Sequence, residues 1–135
     1  MSNNPAITVT RLDMQRLEQM LDHLDDYDAA AEALEAELAR ANLVGHTEIA
    51  NDIVTMNSKA HFYEENSDTE YQLTLVYPQQ AGVEGNVSIL APIGTALLGL
   101  SVGQSIDWHT PKGKVLKLTL KHIEYQPEAA QQYTL

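Results

Sequence analysis

Apolar residues recur at two different spacings along this chain, and the change of spacing divides it. Met14, Leu17, Leu21 and Leu24 follow at intervals of three and four, which makes one stripe of an amphipathic helix. Thr10 precedes the stripe as a cap, with Asp13 at the third helical position. Asp22, Asp25, Asp26 and Asp28 then crowd the chain. Aspartate favours caps and turns over helix interiors, so the first helix stops near Leu24. A second stripe, Ala31, Leu34, Leu38 and Ala41, predicts a helix over residues 28–44 in an Ala-, Leu- and Glu-rich segment, with Gly45 as its stop. Two amphipathic helices this close in sequence fold back as an antiparallel hairpin, a short coiled coil. At ~1.5 Å per residue each arm is roughly 20–25 Å long. Ala31 and Ala41 permit close approach, but the core is thin and needs support from the rest of the protein.

After a hinge at residues 45–52 the period falls to two. Residues 53–56 and 60–63 read as short strands, and Asn66, Ser67 and Asp68 as a turn. Tyr71, Leu73, Leu75 and Tyr77 alternate with Gln72, Thr74 and Val76 in a strand that Pro78 ends. Residues 87–90 read as a strand, and residues 92–99 as a short helix with Pro in its first turn and Gly at its end. Ser105–His109 alternates again, with Ile106 and Trp108 on one face; Trp108 is expected to anchor the core. Pro111, Lys112 and Gly113 form a turn. Leu116, Leu118 and Leu120 then alternate with Lys117, Thr119 and Lys121, one face apolar and the other basic. Residues 1–9 are expected to be a short extended or frayed leader and residues 126–135 a tail. Helices followed by strands make the class α+β.

Charge changes the picture. The net charge is −11, and residues 1–44 hold nine acids against three bases while residues 86–135 hold three against four. Phosphate contacts need a basic footprint, so sequence-specific nucleic-acid binding is not expected; a basic protein partner fits better. No run reaches the ~18–20 apolar residues of a membrane span. The first residues lack the basic and apolar regions of a signal peptide, so a cytoplasmic protein is expected. There is no cysteine, which removes disulfides, thiol catalysis and cysteine-held metals.

Asp22, Asp25, Asp26 and Asp28 are the sharpest candidate site. Two readings stand: carboxylates at a hairpin tip that meet a partner or a hard cation such as Mg²⁺, or caps for the two helices. Gly94 and Gly99 have phosphate-loop spacing, but Leu100-Ser101 stands where Lys-Ser/Thr is needed, so they mark a helix end and no cofactor is expected. His23, His46, His61, His109 and His122 form no metal signature, and no serine sits in a nucleophile elbow.

The run APIGTALLGLSVGQSIDW, the P-x-G turn and the strand ending Ile123-Glu124-Tyr125 resemble the C-terminal domain of the GreA/GreB transcript-cleavage factors. DIVTMNSKAHF, TLVYP and EYQPEAA extend the likeness over nearly the whole chain to the Rnk branch of that family, short-armed proteins called regulators of nucleoside diphosphate kinase. The resemblance implies a helical hairpin over residues 1–45 and an FKBP-like antiparallel β-sheet domain with one short helix over residues 46–135. It implies docking on RNA polymerase at the rim of the secondary channel, in competition with Gre-type factors. Gre factors dock through a loop, typically Asp/Asn-Ser-Pro, before the short helix. The matching positions are Leu90, Ala91 and Pro92; only Pro92 is kept, so an apolar contact replaces a polar one. The Gre arms are several turns longer and their acidic tip helps hold a catalytic metal; the short arm here implies no cleavage, no metal and no enzymatic activity. Two other readings follow from the likeness. One is direct or indirect regulation of nucleoside diphosphate kinase. The other is an FKBP-like peptidyl-prolyl isomerase, which this chain's single Phe and single Trp disfavour.

Overall fold

The computed structural model describes residues 7–24, 28–109 and 113–131. It is a mixed α+β fold. The elements run β1 (Thr8–Thr10), α1 (Arg11–Asp22), α2 (Ala29–Ala39), β2 (Asn42–Val44), β3 (Lys59–Glu64), β4 (Thr69–Val76), a 3₁₀ turn (Pro78–Gln80), β5 (Asn86–Ser88), α3 (Pro92–Leu97), β6 (Ser105–His109) and β7 (Val115–Tyr125).

Both helices form where their stripes place them. Thr10 caps α1 by accepting from the Asp13 amide at 3.0 Å, and Asp28 caps α2 by accepting from the Ala31 amide at 3.1 Å. Leu17, Leu21, Ala31, Leu34 and Leu38 are buried in the same cluster as Phe62, Leu118 and Leu120. The helices therefore share one core with the sheet, which supplies the support that a thin two-helix unit lacks.

Four sequence expectations are corrected. The second helix ends at Ala39, not Val44, because Asn42–Val44 pairs in parallel with Thr8–Thr10. The same pairing makes residues 8–10 extended, as one of the two readings of the leader had it, but paired in the fold and not frayed. Residues 53–56 are not a strand: the Val54 amide binds the Leu100 carbonyl at 2.8 Å, Ile53 makes a single bridge to Ser101, and Asn57 turns the chain with φ 67°. The larger sheet, ordered β5-β4-β3-β7-β6, is not wholly antiparallel, since β5 runs parallel to β4. The 3₁₀ turn and the following loop carry the chain back for that parallel pairing.

The centre of the sheet is β3 and β7. Ala60, Phe62 and Glu64 alternate with half-buried Lys59, His61 and Tyr63, so one face enters the core. Leu118 and Leu120 enter it from β7, with Lys117 and Lys121 exposed opposite. The indole of Trp108, expected in the core, lies outside the described side chains.

Candidate functional site

The loop between β5 and α3 is built on one missing side chain. Ser88 turns the chain: its carbonyl accepts from the Ala91 amide at 3.0 Å and its hydroxyl accepts from the Leu90 amide at 3.1 Å. The Thr95 hydroxyl donates to the Ile89 carbonyl at 2.9 Å. A Cβ on Gly94 would lie 1.9 Å from the Ser88 carbonyl oxygen, so only glycine lets α3 sit this close to the loop. Ala91 occupies the N-cap position and Pro92 opens the helix. Leu90 is half-buried and packs on the core. Of the three expected docking positions, Leu90 and Ala91 thus reach the surface only in part.

The start of α2 lies beside this loop. Ala29, Ala30 and Ala33 of α2 line, with Leu90, Thr95 and Ala96, a shallow apolar groove of about 410 Å³. On the other side, Met20 and Leu24 at the end of α1 face Tyr77 and Pro78 across a second groove. The helix pair is therefore laid along the body, with the start of α2 beside the loop and the end of α1 beside Tyr77 and Pro78.

Of the four tip carboxylates, Asp22 is the exposed last residue of α1 and Asp28 is the cap of α2. Asp25 and Asp26 lie outside the described residues. Among the described residues, no group of three His, Asp or Glu side chains is placed to hold a metal.

Two clusters escaped the sequence reading. Across β3 and β7, the His61 and His122 rings stack at 4.2 Å. The Glu124 carboxylate contacts His61 Nε2 at 2.7 Å and Lys59 Nζ at 3.3 Å, and these partners hold its pKa below the usual range. The strand register of 61 against 122 was the missing datum.

The other cluster joins α1 to the body. Asp13 is buried, and its Oδ2 accepts from the Met56 amide at 3.1 Å. The adjacent Thr55 donates its hydroxyl to Glu128 Oε1 at 2.7 Å. Burial, reinforced by the charge of Glu128, pushes Asp13 up from 3.8 to about 6. Tyr77, whose buried hydroxyl has no hydrogen-bond partner, is raised by burial and by Asp13, with the Arg16 guanidinium 4.9 Å from its ring centre. Nearby, Gln126 Nε2 donates to the carbonyls of Ala50 and Ile53, both at 2.8 Å, so the segment expected as a hinge is tied to the C-terminal turn.

Comparison with known proteins places this architecture. The profile of the transcription elongation factor GreA/GreB C-terminal part matches residues 49–125 and that of the Rnk N-terminus matches residues 5–44. The chain belongs to the GreA/GreB family, in its Rnk branch. It is 42% identical to the regulator of nucleoside diphosphate kinase of Escherichia coli strain K12, over 98% of this chain and 99% of that protein. To transcription elongation factor GreA of Clostridium acetobutylicum it is 32% identical, over 59% of this chain and 51% of the factor. A solved prokaryotic transcription elongation factor GreA/GreB from Nitrosomonas europaea matches with TM-score 0.79 and 44% identity, over 90% of this chain and all of that one. The GreA factor homolog of Thermus thermophilus shares the fold at TM-score 0.52 and 23% identity, with 90% of this chain covered. By family the chain is a transcription-factor-like regulator, and its named relatives are regulators and elongation factors, not enzymes. No helix among the described residues is long and apolar enough to cross a membrane.

Proposed function

We propose that this protein binds RNA polymerase at the entrance of the secondary channel and competes there with Gre-type factors without stimulating transcript cleavage. Membership of the GreA/GreB family supports the polymerase partner. The observation that carries the rest is the length and seating of the helices. At 12 and 11 residues, α1 and α2 span about 18 and 16 Å, and both lie against the body. A pair so short and so placed occupies an entrance without reaching far into a channel. In this reading residues 1–45 form a short helical hairpin and residues 46–135 an FKBP-like docking domain.

Contact is made by the loop Leu90-Ala91-Pro92 together with the start of α2. The tip carboxylates Asp22, Asp25, Asp26 and Asp28 face basic groups of the polymerase and hold no catalytic metal. The protein works in the cytoplasm and needs no cofactor. Its relation to nucleoside diphosphate kinase runs through transcription. The name of the Escherichia coli relative favours one second reading, a direct contact with that kinase. The two separate on mixing purified components: polymerase co-elution with unchanged kinase activity supports the first, whereas altered kinase activity without polymerase binding supports the second.

A further inference from the structure

The seam between α1 and the body contains more ionisable groups than its burial favours. Asp13 stands on α1, one turn from Arg16. Thr55 and Met56, consecutive in the connecting segment, each bind one carboxylate: Met56 binds Asp13 through its amide and Thr55 binds Glu128 through its hydroxyl. Two acids are thus drawn to neighbouring residues of one loop. Tyr77, at the end of β4, adds a buried hydroxyl with no partner. Arg16 lies over its ring. The remaining wall is Thr10, fully buried, and the Thr55–Ser58 hydroxyl pair at 2.8 Å, none of which carries charge. The Arg16 cation acts on both Asp13 and Tyr77.

We propose that Asp13 and Glu128 form a proton-responsive clasp that fastens the start of α1 to the body, tightening when Asp13 takes up a proton and loosening when both carboxylates are ionised. With both charged, the buried Asp13 and the half-buried Glu128 repel one another. A proton on Asp13 removes the burial penalty and the repulsion, which together outweigh the weakening of the bond from the Met56 amide to its carbonyl oxygen. It also supplies a donor for the oxygen-rich wall. Because the helix pair carries the surface beside Leu90, the clasp sets how firmly that surface is held. The direction matches the raised pKa of Asp13, about 6, at the upper end of mild acidification.

The test is a carbon-13 NMR titration of the Asp13 carboxyl in the full-length protein from pH 4 to 8, with the Met56 amide followed in parallel. It is run on the natural sequence and on Glu128→Gln. The clasp predicts that Asp13 titrates about two units above an ordinary aspartate, that the Met56 amide shift follows the same midpoint, and that Glu128→Gln lowers that midpoint by about half a unit or more. Hydrogen exchange at the Leu17 and Leu21 amides of α1, corrected for intrinsic rate, should slow as Asp13 protonates; the Met56 amide, whose bond favours the ionised carboxylate, reports only the midpoint. An ordinary carboxylate midpoint, a midpoint unmoved by Glu128→Gln, or exchange independent of Asp13 protonation would each overturn it. Asp13→Asn provides a third arm, in which protection of those α1 amides should lose its pH dependence. Should that variant not fold, the first two titrations still decide.

Discussion

Gly94 rests directly on the carbonyl of Ser88, at a distance where a Cβ would meet that oxygen at 1.9 Å. The contact is backbone against helix, so no flexible side chain can yield. Gly94→Ala must therefore push α3 off the β5 loop and displace Leu90 and Ala91. Overpacking of this kind costs roughly 1–3 kcal/mol. Urea unfolding should show the loss. Binding to core polymerase, measured where the variant is still folded, should weaken as well if the loop is the docking element.

Asp13 gives stability an unusual pH dependence. Its folded pKa, about 6, exceeds the ordinary value of 3.8, so the folded state holds the proton more tightly than the unfolded chain. The contribution is complete below pH 3.8 and is lost as pH rises through 6. Other carboxylates run the opposite way: Glu124 and Glu64 are lowered by their hydrogen bonds, and what they contribute is lost as pH falls. The difference between the natural protein and Asp13→Asn isolates the first effect. That difference should move in favour of the natural protein by up to about 2–3 kcal/mol between pH 7 and pH 4. A flat difference would show that Asp13 titrates alike in both states.

Asp28 caps α2 through the Ala31 amide. Asp28→Ala should cost about 1 kcal/mol, and Asp28→Ser should restore most of it, since serine caps nearly as well. Thermal unfolding distinguishes them. If both variants lose polymerase binding alike while Asp28→Ser keeps its stability, the carboxylate itself touches the partner.

Much of the fold could be read from local pattern, and the misses share one cause. The stripes through Leu17, Leu21, Leu34 and Leu38 located both helices because burial on one face at period 3.6 leaves a local record. The alternation of Leu116, Leu118 and Leu120 located β7 for the same reason. Asn42–Val44 was read as helix because its strand identity comes from Thr8–Thr10, more than thirty residues away. Residues 53–56 have strand-like composition, but Ile53 and Val54 pair with the turn at Gly99 to Ser101, and the amides of Thr55 and Met56 bond side chains, so no ladder forms.

At the candidate site only the family resemblance pointed to Leu90-Ala91-Pro92 as a loop, since local pattern read residues 87–90 as a strand that in fact ends at Ser88. The capping role of Asp28 was one of two readings. The sequence could not show that Ala29, Ala30 and Ala33 close a groove with Leu90, because that is a tertiary relation. Asp13 was legible as a residue near a cap, and its reach to Met56 was not. His61 and His122 looked scattered until strand register stacked them.

The most direct test of the central claim is competition on core RNA polymerase. Labelled Gre factor is bound to the enzyme and this protein is titrated in, with transcript cleavage followed in the same samples. The account predicts displacement of the Gre factor together with loss of cleavage, since the incoming helices are too short to replace its tip. Failure to displace at micromolar concentrations would contradict docking at the channel, and displacement with cleavage sustained by this protein alone would contradict the short-armed mechanism.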